Sequence, residues 1–136
     1  MTNKSLAASY LVKARVRIKT LKVLYRAKDY SDVVREAQEI VELSLKALLR
    51  YVGIEPPKWH DVGPLLVKHR DRLPSFGQKI IRRLAKISKD LREDRELAFY
   101  GDDDFIPSEE YTARDAQKAI RDAGFTVKTV GSLVII

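Results

Sequence analysis

At 136 residues the chain is long enough to bury a core without help from metal or disulfides, and it reads as a single helical domain over residues 1–136. The absence of cysteine excludes disulfides, thiol catalysis and cysteine-ligated zinc or iron–sulfur clusters, and two histidines leave any metal site to carboxylates, so neither a metal nor a cofactor is expected. The net charge of +7 is unevenly spread: residues 1–28 hold eight Lys or Arg and no acid, residues 29–57 sum to −3, residues 58–100 to +5 and residues 101–136 to −3.

Such asymmetry permits an anionic partner, whether nucleic acid, nucleotide phosphate or an acidic protein surface; it equally suits a solvated basic face that complements an acidic second helix. The first helix is expected over roughly residues 5–28. Ala7, Leu11, Ala14, Ile18, Leu21 and Tyr25 recur at steps of four and three and form its core stripe. Val12, Val16, Val23 and Ala27 make a second, narrower apolar ridge between rows of Lys and Arg, with little reason to face water as a continuous strip. Lys4, Arg15, Lys19, Lys22 and Arg26 run along one flank as a basic stripe. The second helix opens near Ser31 or Asp32, both good N-cap residues, and runs to Tyr51 or Val52 before Gly53 ends it. Val34, Ala37, Ile40, Val41, Leu45, Ala47, Leu48, Tyr51 and Val52 cover more than half of its circumference, which predicts the central, most buried helix.

Pro56 and Pro57 make the next stretch a loop. His60-Asp61 then begins a short helix through Lys68; the pair reads either as a proton shuttle or as a cap, with Asp61 at the N-cap and His60 packed beside Trp59, and the cap is the preferred reading. The fourth helix starts at Ser75, where Ser-Phe-Gly-Gln has capping-box form, and continues to about Tyr100. Ile80, Leu84, Ile87, Leu91 and Ala98 form its apolar stripe, with the charges of Asp94 and Arg95 on the flanks. Residues 101–110 read as an acidic, aromatic, proline-bearing loop. Thr112-Ala-Arg-Asp115 caps a last helix whose apolar spacing, Ala116, Ile120, Ala123, Val127, Val130 and Val134, passes through Gly124 and Gly131. Phe125 to Val130 is also β-prone, and a helix that frays near its end is expected. No apolar run approaches the roughly 18–20 residues of a membrane span and the N-terminus lacks a secretory apolar segment, so a cytoplasmic protein without membrane contact is expected.

Several segments stand in a telling order: Asp29-Tyr30-Ser31-Asp32-Val33-Val34, Glu39 to Glu42, Leu45-Lys46-Ala47-Leu48-Leu49, His60-Asp61 with Leu65-Leu66, and Arg95 to Tyr100 before the acidic loop. On these segments, over roughly residues 7–123, the chain resembles the HEPN family of small helical proteins. The resemblance implies an all-α fold: a five-helix bundle with an up-down four-helix core, like a nucleotidyltransferase substrate-binding subunit.

Many HEPN proteins are metal-independent ribonucleases marked by R-x4-6-H, in which arginine binds the scissile phosphate and histidine transfers protons. No such motif occurs in this chain. The relevant positions before His60 are Gly53, Ile54 and Glu55, and those before His69 are Val62, Gly63 and Pro64. In Arg95-Glu-Leu-Ala-Phe-Tyr100 a tyrosine stands where histidine would, and a phenol with a reference pKa of about 10 is a poor base at neutral pH. The resemblance thus implies the scaffold and a phosphate-reading Arg95, with Arg92 and Tyr100 beside it as nucleotide or phosphate contacts, and ribonuclease catalysis is not expected. Some members carry R-x4-H-x-Y and receive a nucleotide on that tyrosine from a partner nucleotidyltransferase; here Tyr100 occupies the histidine position and Asp102 the tyrosine position. Tyr100 reads either as an acceptor or, preferably, as a ring bonded into a dimer cleft. Asp102, Asp103 and Asp104 read as solvated rather than as a Mg2+ site, because consecutive loop carboxylates diverge.

Walker, Rossmann, H-E-x-x-H and G-x-S-x-G patterns are absent from the sequence. Three roles follow. The first is a nucleotide-binding or substrate-presenting accessory protein that works with a separate minimal nucleotidyltransferase in a toxin–antitoxin-like pair. The second is an RNA-acting toxin whose basic stripe, Arg15, Lys19, Lys22 and Arg26, holds RNA phosphate. The third is a structural dimeric adaptor. A homodimer is expected, joined through the ridge of the first helix or the exposed side of the fourth.

Overall fold

The chain folds as α1 (Asn3–Arg26), α2 (Tyr30–Tyr51), α3 (Gly63–Lys68), a 3-10 turn (Arg70–Arg72), α4 (Gln78–Phe99), α5 (Pro107–Glu110) and α6 (Ala113–Gly131). The computed structural model describes residues 3–56, 58, 62–99, 103 and 106–134; all other positions, and the side chains of residues 3, 94–99 and 108, lie outside the description. The five helices read from the sequence correspond to α1–α4 and α6, while α5 is a single added turn inside the expected loop. No strand occurs among the described residues.

Helices α1, α2, α4 and α6 form an up-down core, and the ends that meet fix their directions. Gln117, near the start of α6, donates to the Tyr25 hydroxyl near the end of α1 at 2.7 Å, whereas Arg15, midway along α1, lies beside Gly131 at the end of α6. Arg83, early in α4, stacks on Phe125, late in α6, at 3.6 Å from the ring centre. The central helix is α2, which packs against α1, α4 and α6 together. Ile40, Leu45, Leu48 and Leu49 are fully buried there. Each contributes about 1.5–3 kcal/mol, against about 0–1 for an exposed ion pair, so packing rather than charge sets the fold.

On α1 the core stripe is buried as its spacing predicts: Ala7, Leu11, Ala14 and Leu21 are inaccessible, with Ile18 and Tyr25 packed at its edge. The opposite ridge faces out, with Val12, Val16 and Val23 44%, 57% and 65% exposed. Lys28 ends α1 in the left-handed conformation at φ +63°. Its amide donates to the Tyr25 carbonyl and that of Asp29 to Leu24, the paired bonds of a Schellman turn. Gly53 performs the same closure after α2, at φ +84° with Ile54 bonded back to Leu49.

Three boundaries differ from the sequence expectation. The tight turn at Lys28 brings Asp29 to the N-cap of α2, where it accepts the Asp32 amide at 3.3 Å, so the helix opens ahead of Ser31 and Asp32. Helix α3 begins at Gly63 rather than at His60-Asp61: Val62 holds the N-cap position without a side-chain bond, and Pro64 is the second residue of the first turn. His60 and Asp61 lie outside the described residues, as does Trp59. Helix α4 begins at Gln78 rather than Ser75, because the chain first turns to bury Phe76, whose amide bonds to Leu73, and the Gly77 carbonyl then accepts from Ile80 and Ile81.

Two helix contacts depend on local chemistry. Gly63 lets α3 lie against α4: a Cβ at this position would sit 3.1 Å from the Ala85 carbonyl oxygen. At the start of α6 the expected capping box is formed, with the Thr112 hydroxyl accepting the Asp115 amide at 3.3 Å and the Thr112 amide donating to Asp115 at 2.8 Å. The β-prone stretch stays helical through Gly131 because Thr126, Val127 and Val130 point into the core. No helix among the described residues is long and apolar enough to cross a membrane.

Candidate anion-binding cleft

The outward strip of α2 carries Arg35, Glu36, Glu39, Glu42, Leu43 and Lys46, a spacing of three and four that keeps them on one face. Charges of both signs therefore line up along a helix whose other side is apolar. From α1, the Arg17 guanidinium meets Glu39 at 3.0 Å and Glu36 at 3.7 Å. From α4, Arg92 approaches Glu42 at 3.7 Å, and Lys46 meets the same carboxylate at 3.2 Å. Gln38, almost fully buried beneath this strip, donates to Glu42 at 3.1 Å.

These groups surround an open cleft of about 340 Å³ lined by Arg17, Glu39, Glu42, Leu43, Lys46, Lys58 and Arg92. Its four cations outnumber its two carboxylates, and each carboxylate already has cationic neighbours: Arg17 and Arg35 around Glu39, Lys46 and Arg92 around Glu42. Lys58 reaches the cleft from the loop after α2. The described lining includes no histidine, hydroxyl or thiol. Among the described residues, the charge balance of the lining favours an anion over a cation.

Arg92 is the one expected phosphate contact whose side chain is placed, and it lies in this cleft. Arg95 stands three residues further along α4, with its side chain outside the described residues, as is Tyr100. Arg15, Lys19, Lys22 and Arg26 are all exposed along the α6-facing flank of α1, a surface separate from the cleft. Arg17, Lys46 and Lys58 escaped the sequence reading. Arg17 sits off the basic stripe on the side of α1 that meets α2, and the signal that pairs them is the run of acids on the outward face of α2.

A second electrostatic feature lies at the other end of α2. The Asp32 carboxyl is pushed up from 3.8 to about 6, first by burial, then by a hydrogen bond to Asp29 and repulsion from it, with Arg35 opposing.

The chain matches the HEPN domain family over residues 7–133. The protein belongs to this family. The match covers nearly the whole chain, and the all-α HEPN bundle inferred from segment order is the fold observed. No curated protein and no solved structure gives a significant match. In this HEPN chain α4 brings Arg92 into the cleft and carries Arg95 one turn later.

Proposed function

We propose that this HEPN protein is a nucleotide-binding or substrate-presenting accessory subunit that works with a separate minimal nucleotidyltransferase in a toxin–antitoxin-like pair. The observation that supports it best is the gathering of Arg17, Lys46, Lys58 and Arg92 in one open cleft, a turn before Arg95. Guanidinium and ammonium groups around partly neutralised carboxylates suit the phosphates of a nucleotide, which arrive with spare negative charge. Homodimerisation belongs to the proposal. The exposed side of α4 is the surface expected to join two copies, which leaves the cleft to the nucleotide.

Titration calorimetry with nucleoside triphosphates tests the cleft. Arg92→Ala and Arg95→Ala are expected to weaken binding about tenfold each, while Tyr100→Phe stays close to wild type. Binding indifferent to both arginine variants overturns the assignment. A nucleotide adduct on Tyr100 after co-expression with a neighbouring transferase would make that phenol the acceptor. The second reading, an RNA-acting toxin, draws on the exposed row of Arg15, Lys19, Lys22 and Arg26. Metal-independent RNA cleavage lost in Arg95→Ala would favour it. A stripe meeting about five phosphates of single-stranded RNA gives a log–log salt slope of about −3.5.

A further inference from the structure

The outer face of α1 presents a different kind of surface. Val12, Val16 and Val23 project from it, and beside Val23 the helix borders an open hollow of about 400 Å³ lined by Arg17, Thr20, Val23, Leu24 and Glu36. On the 3.5-residue repeat by which two helices share a seam, this face reads Val12, Val16, Lys19, Val23, Arg26. Arg15 and Lys22 flank it on one side and Lys13 on the other, all exposed. Lys13, Arg15, Lys19, Lys22 and Arg26 form no ion pair among the described residues, and the first 28 residues contain no acid to supply one.

From this seam we infer that α1 is a docking surface for an acidic amphipathic helix of another protein. Its aliphatic residues lie on the valines, and its carboxylates face Lys19, Arg26 and the flanking cations. Charge decides among the possible occupants. A second copy related by a two-fold axis would lay one acid-free helix on another and set Lys19 and Arg26 against cations. Nucleic acid would satisfy the cations while its phosphates ran along an apolar ridge that offers no ring for stacking. An anionic membrane is matched by helices with aromatic or leucine faces, whereas this ridge holds only valine and alanine. An acidic helix satisfies both halves of the pattern: apolar against apolar along the seam, and carboxylates against otherwise unpaired ammonium and guanidinium groups. The seam residues are separate from the cleft between α1, α2 and α4, which shares only Arg17 with the hollow beside Val23.

The probe is a fluorescent synthetic peptide of about three heptads, leucine along its seam and glutamate beside it, titrated with the full chain. A twin peptide with lysine in place of glutamate and vesicles of phosphatidylcholine with phosphatidylserine serve as competitors. The glutamate peptide is expected to bind and the lysine peptide not. Val16→Ser/Val23→Ser should weaken binding about tenfold or more, and Lys19→Glu/Arg26→Glu should reverse the preference between the two peptides. All four positions are exposed, and an unchanged melting temperature confirms that each variant is folded. No binding by the wild type, equal binding of both peptides, capture by the vesicles instead, or loss of a homodimer in Val16→Ser/Val23→Ser each overturns the inference.

Discussion

Lys28 holds a backbone conformation that costs an L-residue with a Cβ about 1 kcal/mol, and it does so because a two-residue reversal between α1 and α2 requires it. Lys28→Gly should relieve this strain, partly offset by the greater freedom glycine loses on folding, for a net gain of about 0.5 kcal/mol in chemical denaturation. The same turn explains why the start of α2 was misplaced by reading alone. Ser31 and Asp32 have the chemistry of caps, but the Schellman closure at Lys28 hands that position to Asp29. Asp32 is then held against the Asp29 carboxylate, and its raised pKa carries a definite sign. The folded state keeps the proton more tightly than the unfolded chain, so stability is greatest below pH 3.8 for this group and is lost as pH rises through about 6. Asp32→Asn should therefore melt higher than wild type at pH 7.5, by about 1 kcal/mol or less given its exposure to water, and the advantage should vanish near pH 4. Equal differences at both pH values would show that burial and the neighbouring Asp29 do not raise the Asp32 pKa.

At the scale of elements, apolar period was legible wherever one face of a helix is buried against a single neighbour or surrounded by several. The stripe of α1, the wide apolar arc of α2 and the capping box of α6 all appear where the residues place them. Thr112→Ala should remove the hydroxyl that receives the Asp115 amide and cost about 1 kcal/mol, read as a lower melting temperature with α6 still formed. Starts of helices set by tertiary packing were not legible. Ser75 has the cap pattern that α4 ignores, since burying Phe76 against the core outweighs a cap bond available only in the local sequence. The candidate cleft was legible only through Arg92. Its other cations belong to α1, α2 and the following loop, and the run of acids on α2 marks the face without announcing which three elements converge there.

For the whole molecule, charge is distributed by face. α1 is cationic outward, α2 and α4 meet in mixed charge, and the formal sum is +7. If the exposed side of α4 joins two copies, light scattering at micromolar concentration should report twice the 15.6 kDa chain mass. Raised salt should shift the population toward the single chain, because ion pairs at an interface rim are screened. A mass of one chain at all salt concentrations would end the dimer proposal.

The central placement of α2 has a consequence in time as well as in space. Because α2 is packed by α1, α4 and α6 at once, its amides cannot meet water by the loosening of any one neighbour. Hydrogen exchange should be slowest between Val33 and Leu49, set by complete unfolding, and fastest in the single turn of α5. Nearly every lesser opening of this chain leaves its middle helix dry.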